Sequence, residues 1–246
     1  ALNWNSENKN LLLSEYFNNQ SSIWSVFKEN NIYASNFQPK NLINTPLSNF
    51  LYEEKSTVPY ISQEDLINAL SDSLFLENKF NFIYYPNIDV IAHVFGVNSE
   101  EWIKEIKIFE ELVKKITELS NKKSYTVISA DHGLTNVPKE NRFHITYNED
   151  VNIYGDQRSV YINGSKKDII EIFSKVPGQL IDRSELNYLL PIPENDFIES
   201  LYPDFCFLVE DKNIIYPHHL KTELAGYHGG LSTEEIKIPI IEISNF

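Results

Sequence analysis

Methionine is absent from all 246 residues, position 1 included. A translated chain starts with one, so the sequence is expected to be a processed, trimmed or incomplete form of a longer product. Cysteine is nearly absent as well, Cys206 being the single one. A lone thiol makes no internal disulfide, and its setting in Phe205-Cys206-Phe207-Leu208-Val209 is that of a buried strand residue rather than a nucleophile. No apolar run approaches the roughly 18 residues of a membrane-spanning helix. Ala1-Leu2-Asn3-Trp4-Asn5 lacks the basic flank and apolar stretch of a signal peptide, so nothing in these residues points to export and a cytoplasmic setting is favoured. Positive charge is scarce: 21 Lys and Arg stand against 35 Asp and Glu, a net charge of −14. Binding to a nucleic-acid polymer draws on a surplus of Lys and Arg facing phosphates, so such a partner is not expected. A small phosphorylated ligand stays open where metal ions supply the positive charge locally.

What is present reads as an ordinary globular α/β chain. Residues 80–85 form an aromatic run of strand length stopped by Pro86. Asn98 with Glu101 three positions later marks a helix start. Trp102, Ile106, Phe109, Val113 and Ile116 then recur at helical spacing, to about Leu119. A turn at Asn121-Lys122-Lys123 leads into residues 125–130, which read as a second buried strand. Strand, helix and strand in this order predict a right-handed crossover in a parallel sheet. Further helices are expected at 22–27, 63–76 and 167–176, strands at 159–162 and 205–209, and a last core strand at 236–243. The polar, irregular stretch 144–225 reads as an inserted cap or subdomain. Residues 1–143 and 226–246 would form the core, a mostly parallel central sheet flanked by helices.

Chemistry-bearing residues gather where strands end. Asp89-Val90-Ile91-Ala92-His93 follows the first strand; on a helical turn the four-residue spacing puts carboxylate and imidazole on one face, able to grip a cation. An exposed helix pair with no ligand has the same spacing. Ala130-Asp131-His132-Gly133 closes the second strand, placing costly polar groups near the interior, where a metal is a suitable partner; an Asp-capped turn is the plainer alternative. Gly226-Tyr227-His228-Gly229-Gly230-Leu231-Ser232 is a tight loop carrying a third histidine. Together these give an oxygen-and-nitrogen ligand set suited to Zn²⁺ or a similar ion. Other residues carry weaker signals. His144 could face a substrate or only solvent, Arg158 could meet phosphate or form a structural ion pair, and His218-His219 reads as a solvated loop pair. Tyr227 is the aromatic residue best placed to stack on a ligand.

The order of these three motifs, with a Ser and a Glu after His-Gly-Gly and a Pro before the last strand, resembles the type I phosphodiesterase/nucleotide pyrophosphatase family of the alkaline phosphatase superfamily. The resemblance runs from about Ile23 to Phe246. Metal-dependent phosphoglycerate mutases share an Ala-Asp-His-Gly segment, but His228-Gly229-Gly230-Leu231-Ser232 favours the phosphodiesterase branch. The resemblance implies an alkaline-phosphatase-like α/β fold with two divalent ions, Zn²⁺ foremost and Mn²⁺ second. By motif, Asp89, His93 and His228 would hold one ion, and Asp131 and His132 would help to hold the other. The family's remaining Asp ligand and its Thr or Ser nucleophile come from an N-terminal strand segment with no counterpart here; Thr45 lacks the preceding strand-borne Asp. Hydrolysis of phosphodiester or phosphoanhydride bonds in small, nucleotide-type substrates is the implied activity. A phosphomonoesterase or mutase-like enzyme, or a non-catalytic metal- or nucleotide-binding module, is the alternative.

Overall fold

The computed structural model describes residues 22–52, 56–71, 78–120, 124–190, 192–193, 195–217 and 223–244. In chain order these form α1 (Ile23–Glu29), β1 (Tyr33–Pro39), α2 (Pro46–Leu51), β2 (Thr57–Tyr60), α3 (Gln63–Ser71), β3 (Lys79–Ile83), α4 (Asn87–Phe95), α5 (Glu100–Leu119) and β4 (Tyr125–Ser129). There follow β5 (Thr135–Asn136), β6 (Arg142–Ile145), β7 (Asn152–Gly155), β8 (Ser159–Asn163), α6 (Lys166–Phe173), β9 (Gly178–Asp182), α7 (Arg183–Leu186) and α8 (Asp196–Leu201). The last elements are β10 (Phe205–Val209), β11 (Ile214–Pro217), β12 (Gly226–Tyr227), α9 (Thr233–Ile236) and β13 (Ile240–Ser244). The opening residues 1–5, the end of the helix expected at 63–76, the turn at 121–123 and the His218-His219 pair lie outside the described residues.

Two compact units divide the chain. The first takes the described residues of 3–88, 104–128 and 241–246. Its centre is β1, parallel to both neighbours: Asn36 is in register with Thr57 of β2 and with Phe82 of β3. Parallel pairing demands crossovers rather than hairpins, and α2 and α3 lie in the connections between β1 and β2 and between β2 and β3. One sheet face buries Phe37 and Tyr60 against Leu66 and Leu70 of α3 and Leu112 and Ile116 of α5. On α5 the burial centres on Leu112, one position before the expected Val113. Trp24 anchors α1 by donating from Nε1 to Leu51 O at 2.9 Å, and its ring meets Phe80 edge-on.

Two strand expectations for this unit need correcting. β4 is a strand, but Tyr125 and Val127 are 58% and 53% exposed. Residues 236–243 do not form one core strand: Thr233–Ile236 is helical, and β13 begins at Ile240, itself 70% exposed. Both differences have one physical origin. β4 pairs with β13 in a separate two-stranded sheet instead of joining β3, so among the described residues the sequence's capacity for two-sided burial is not used.

The second unit takes residues 89–103 and 129–240, so the stretch 144–225 packs in one body with all three motifs. Its largest sheet is antiparallel with order β7-β8-β10-β9. Val160, Ile162, Phe207 and Val209 of that sheet pack with Ile169 and Phe173 of α6. Cys206 is buried as expected, and burial pushes its thiol up to about 12. Two short ladders complete the unit: β6 parallel to β11, and β5 antiparallel to β12. The second of these brings two of the motif segments together.

Candidate functional site

Helix α4 carries Asp89 in its first turn, where the helix dipole favours negative charge, and His93 in its last. Their spacing does put them on one face, with Asp89 Oδ1 3.5 Å from His93 Nε2. The other ring nitrogen, Nδ1, lies 2.8 Å from Gly226 O. A carbonyl only accepts, so Nδ1 carries the proton and Nε2 keeps a free lone pair. The main chain repeats this link, since Ala225 N donates to His93 O at 2.8 Å. A side chain at 226 would overlap Ala92 O, so the close approach of the loop to α4 requires glycine there.

The Asp131-His132-Gly133 segment is held from the opposite side. Gly133 N donates to Glu235 O at 2.8 Å, and any Cβ on Gly133 would collide with the Glu234 carbonyl. Past the turn, Asn136 Oδ1 accepts from Val97 N at 2.7 Å while its Nδ2 donates to Val97 O at 2.8 Å. Thr135 and Asn136 pair with Tyr227 and Gly226. His132 Nδ1 lies 3.2 Å from the Gly133 carbonyl, and its Nε2 lies 3.5 Å from Asp131 Oδ2. Asp131 is 79% exposed, and its Oδ1 accepts from His132 N at 3.1 Å.

His228 joins the two segments. Its ring stacks on His132 with centroids 3.8 Å apart, and meets His93 at 5.1 Å. Burial, the largest influence, holds the His228 imidazole below its ordinary range; Asp156 and Asp89 pull it up, and His132 and His93 push it down. The ring is therefore neutral at pH 7, the form that binds cations. Asp89, His93, Asp131, His132 and His228 thus converge within one unit from three distant segments. Asp89 Oδ1 is buried and accepts no hydrogen bond. A buried acceptor without a donor, beside imidazole nitrogens with free lone pairs, fits a divalent cation's preference for mixed oxygen and nitrogen donors. Among the described residues, however, no three His, Cys, Asp or Glu side chains are disposed so that they could hold an ion as they stand.

Other expected residues fall differently. Tyr227 is corrected from ligand stacking to core packing: it is 3% exposed, its hydroxyl bonds the Tyr216 hydroxyl, and it accepts from Leu224 N at 2.9 Å. Arg158 takes the structural alternative, a buried pair with Glu235 in which Nε and Nη2 donate at 2.6 and 2.8 Å. His144 is exposed and stacks on Tyr216 at 5.3 Å. Thr45 caps α2, accepting from Ser48 N at 3.1 Å. Glu235 was legible only as the last residue of a Ser-x-x-Glu capping box, which does form at α9. The carboxylate also accepts from Gly230 N at 2.8 Å and so ties down the His228 loop.

Residues 5–181 match the family described as type I phosphodiesterase / nucleotide pyrophosphatase. No curated protein matches the sequence. Among solved structures the chain is similar to murine ectonucleotide pyrophosphatase/phosphodiesterase 5, at TM-score 0.67 and 15% identity over 89% of this chain and 62% of that one. An inactive form of the same murine protein, in complex with AMP, matches at TM-score 0.67 and 13% identity, over 92% and 63%. Phosphonoacetate hydrolase from Sinorhizobium meliloti 1021, in complex with phosphonoacetate, matches at TM-score 0.63 and 12% identity, over 90% and 68%. At these identities the likeness is one of fold. The chain spans less than two thirds of the murine structure's length.

Proposed function

The chain belongs to the type I phosphodiesterase / nucleotide pyrophosphatase family, and from that premise we propose that it carries the divalent-metal half of a hydrolase acting on phosphodiester or phosphoanhydride bonds of small, nucleotide-type substrates. Asp89, His93 and His228 would hold one cation; Asp131 and His132 would contribute to a second, with Zn²⁺ or Mn²⁺ as the ions. One observation carries this reading: the His93 and His132 rings are each engaged by a carbonyl through Nδ1, leaving Nε2 free beside a carboxylate. This is how ligand histidines are commonly oriented. The AMP complex of the murine relative supports a nucleotide as the ligand class.

Bound at these side chains, divalent ions would supply positive charge to offset the negative charge on a phosphoryl group under in-line attack. The protein's own part is to hold the donors. The Gly226 carbonyl orients His93, the Gly133 carbonyl orients His132, and the two glycines keep the His228 loop against α4 and the His132 segment against α9. The stretch 144–225 would act as the cap that shapes the substrate side. A module that binds metal and nucleotide without turnover is the second reading. Intact mass of the natural protein separates the two: a mass well above 28.6 kDa together with hydrolysis supports the enzyme, whereas a matching mass without turnover supports the module.

The test titrates metal-stripped protein with Zn²⁺ by calorimetry and measures hydrolysis of an activated phosphodiester by the natural form. Asp89→Ala or His228→Ala should remove one cation and nearly abolish turnover. Undiminished Zn²⁺ stoichiometry in both variants would discard the assignment.

A further inference from the structure

The turn between β7 and β8 has no part in the family motifs, yet it grips the loop that carries His228. Asp156 sits at its head, with Oδ2 3.8 Å from His228 Nδ1. The backbone of Asp156 is fixed by donation from its N to Ser159 O at 3.1 Å. At the other end of the turn, Ser159 Oγ donates to Gly229 O. Gly229 has φ +97°, and a Cβ there would lie 2.8 Å from Asp156 Cβ. The left-handed backbone and the close carboxylate both call for glycine next to the histidine. Arg158, the middle of the same turn, is locked through Glu235 to Gly230.

Comparison of the three imidazoles gives this turn a role. His93 and His132 each have a carbonyl opposite Nδ1, whereas among the described residues His228 has the Asp156 carboxylate in the corresponding place. We infer that Asp156 is the positioning carboxylate of His228, holding the ring by its Nδ1–H so that Nε2 is presented to the cation. The inference rests on the metal reading above and adds to it a residue outside the family motifs. At 3.8 Å the contact is longer than a hydrogen bond. A cation at Nε2 would make the Nδ1–H more acidic and more positive and would favour a closer approach of the half-exposed carboxylate. Asp156 therefore acts through His228 and not as a ligand itself. An outer carboxylate of this kind commonly carries about 10–100-fold in metal affinity.

The experiment compares Asp156→Ala and Asp156→Asn with the wild-type chain in two readouts. Zn²⁺ titration of the stripped proteins should show Asp156→Ala binding about 10–100-fold more weakly at unchanged stoichiometry. Asp156→Asn should lose less, because its amide oxygen still accepts from Nδ1–H. In metal-free ¹⁵N-histidine spectra, His228 should be the Nδ1–H tautomer in the wild type and move towards Nε2–H in Asp156→Ala, with His93 unmoved. Equal Zn²⁺ affinity and an unchanged His228 tautomer in Asp156→Ala would overturn the inference. Loss of one bound ion in Asp156→Asn would overturn it too, since that marks a direct ligand. Should the wild type bind no Zn²⁺, the metal reading fails, and the tautomer comparison alone decides whether Asp156 holds the ring.

Discussion

Removing the Arg158 guanidinium should damage the protein more than any other single charge deletion in the second unit. Arg158 and Glu235 side chains are each 1% exposed, and the pair is bidentate at 2.6 and 2.8 Å. Arg158 also donates to Asn213 O at 2.6 Å and Asp211 O at 2.8 Å. In Arg158→Ala the carboxylate stays buried with only Gly230 N and Ser232 N as donors, and two carbonyls lose their partner. Breaking a buried pair from one side costs about 3–5 kcal/mol, against a typical domain stability of roughly 5–15 kcal/mol. For a chain of this size that corresponds to a Tm lower by about 6–20 °C. Urea and thermal unfolding of Arg158→Ala, Glu235→Ala and a double variant carrying Arg158→Met with Glu235→Leu form the assay. The double variant should be less destabilised than either single one, because no charge is left stranded. Burial is the strongest influence on Glu235 and acts upward, but Arg158, Ser232 and the Gly230 N–H together hold its carboxyl below the usual value. A depressed folded pKa gives stability that is fully present above the unfolded value and lost as pH falls through the folded one. The wild type should therefore begin to lose this contribution only below about pH 4.3, and Arg158→Ala, without the guanidinium that helps to hold the carboxyl down, should show less of this acid-side loss. A loss under about 1 kcal/mol in both single variants, the range of an exposed pair, would refute the reasoning.

Gly133→Ala should cost about 1–3 kcal/mol through overpacking against the Glu234 carbonyl and weaken Zn²⁺ binding in calorimetry, while Gly164→Ala, whose added methyl meets its nearest neighbours at 3.3 Å, should leave Zn²⁺ binding unchanged. Cys206, with its thiol pushed up to about 12, should resist a thiol-specific disulfide reagent at pH 8 in the native protein and react fully in denaturant; prompt native labelling would contradict its placement in β10.

The site was legible in the sequence wherever the relevant signal is local. The four-residue separation of Asp89 and His93 fixes their common face by helix geometry alone, and polar residues ending an apolar run drew attention to Asp131 and His132. Convergence of three remote segments was legible only by resemblance, because spacing says nothing about tertiary approach. Tyr227 differs for that reason: proximity in sequence to His228 suggests a place beside the ligand loop, but its side chain goes to the core with Tyr216. Arg158 and Glu235 lie far apart along the chain, and neither position advertises a partner. β4 and β13 were read as buried from composition, which reports what a strand can bury, whereas exposure depends on which neighbours flank it.

The acidity of the chain bears on how the proposed site would work. A phosphate approaching Asp89, Asp131 and Asp156 meets carboxylates and three imidazoles, of which burial keeps His228 neutral. No lysine or arginine is needed to explain the arrangement: the guanidinium of Arg158, which lies against the His228 loop, is engaged by Glu235 and by backbone carbonyls. On the proposed reading an anionic ligand should then bind only after cations, whose charge sets the local field in such sites. The same carboxylates that repel the phosphate would attract the metal, so on that reading the two binding steps would be coupled in a fixed order. A site built on surface lysines would bind phosphate first and lose it to salt; a site of the proposed kind would delegate the attraction to its ions.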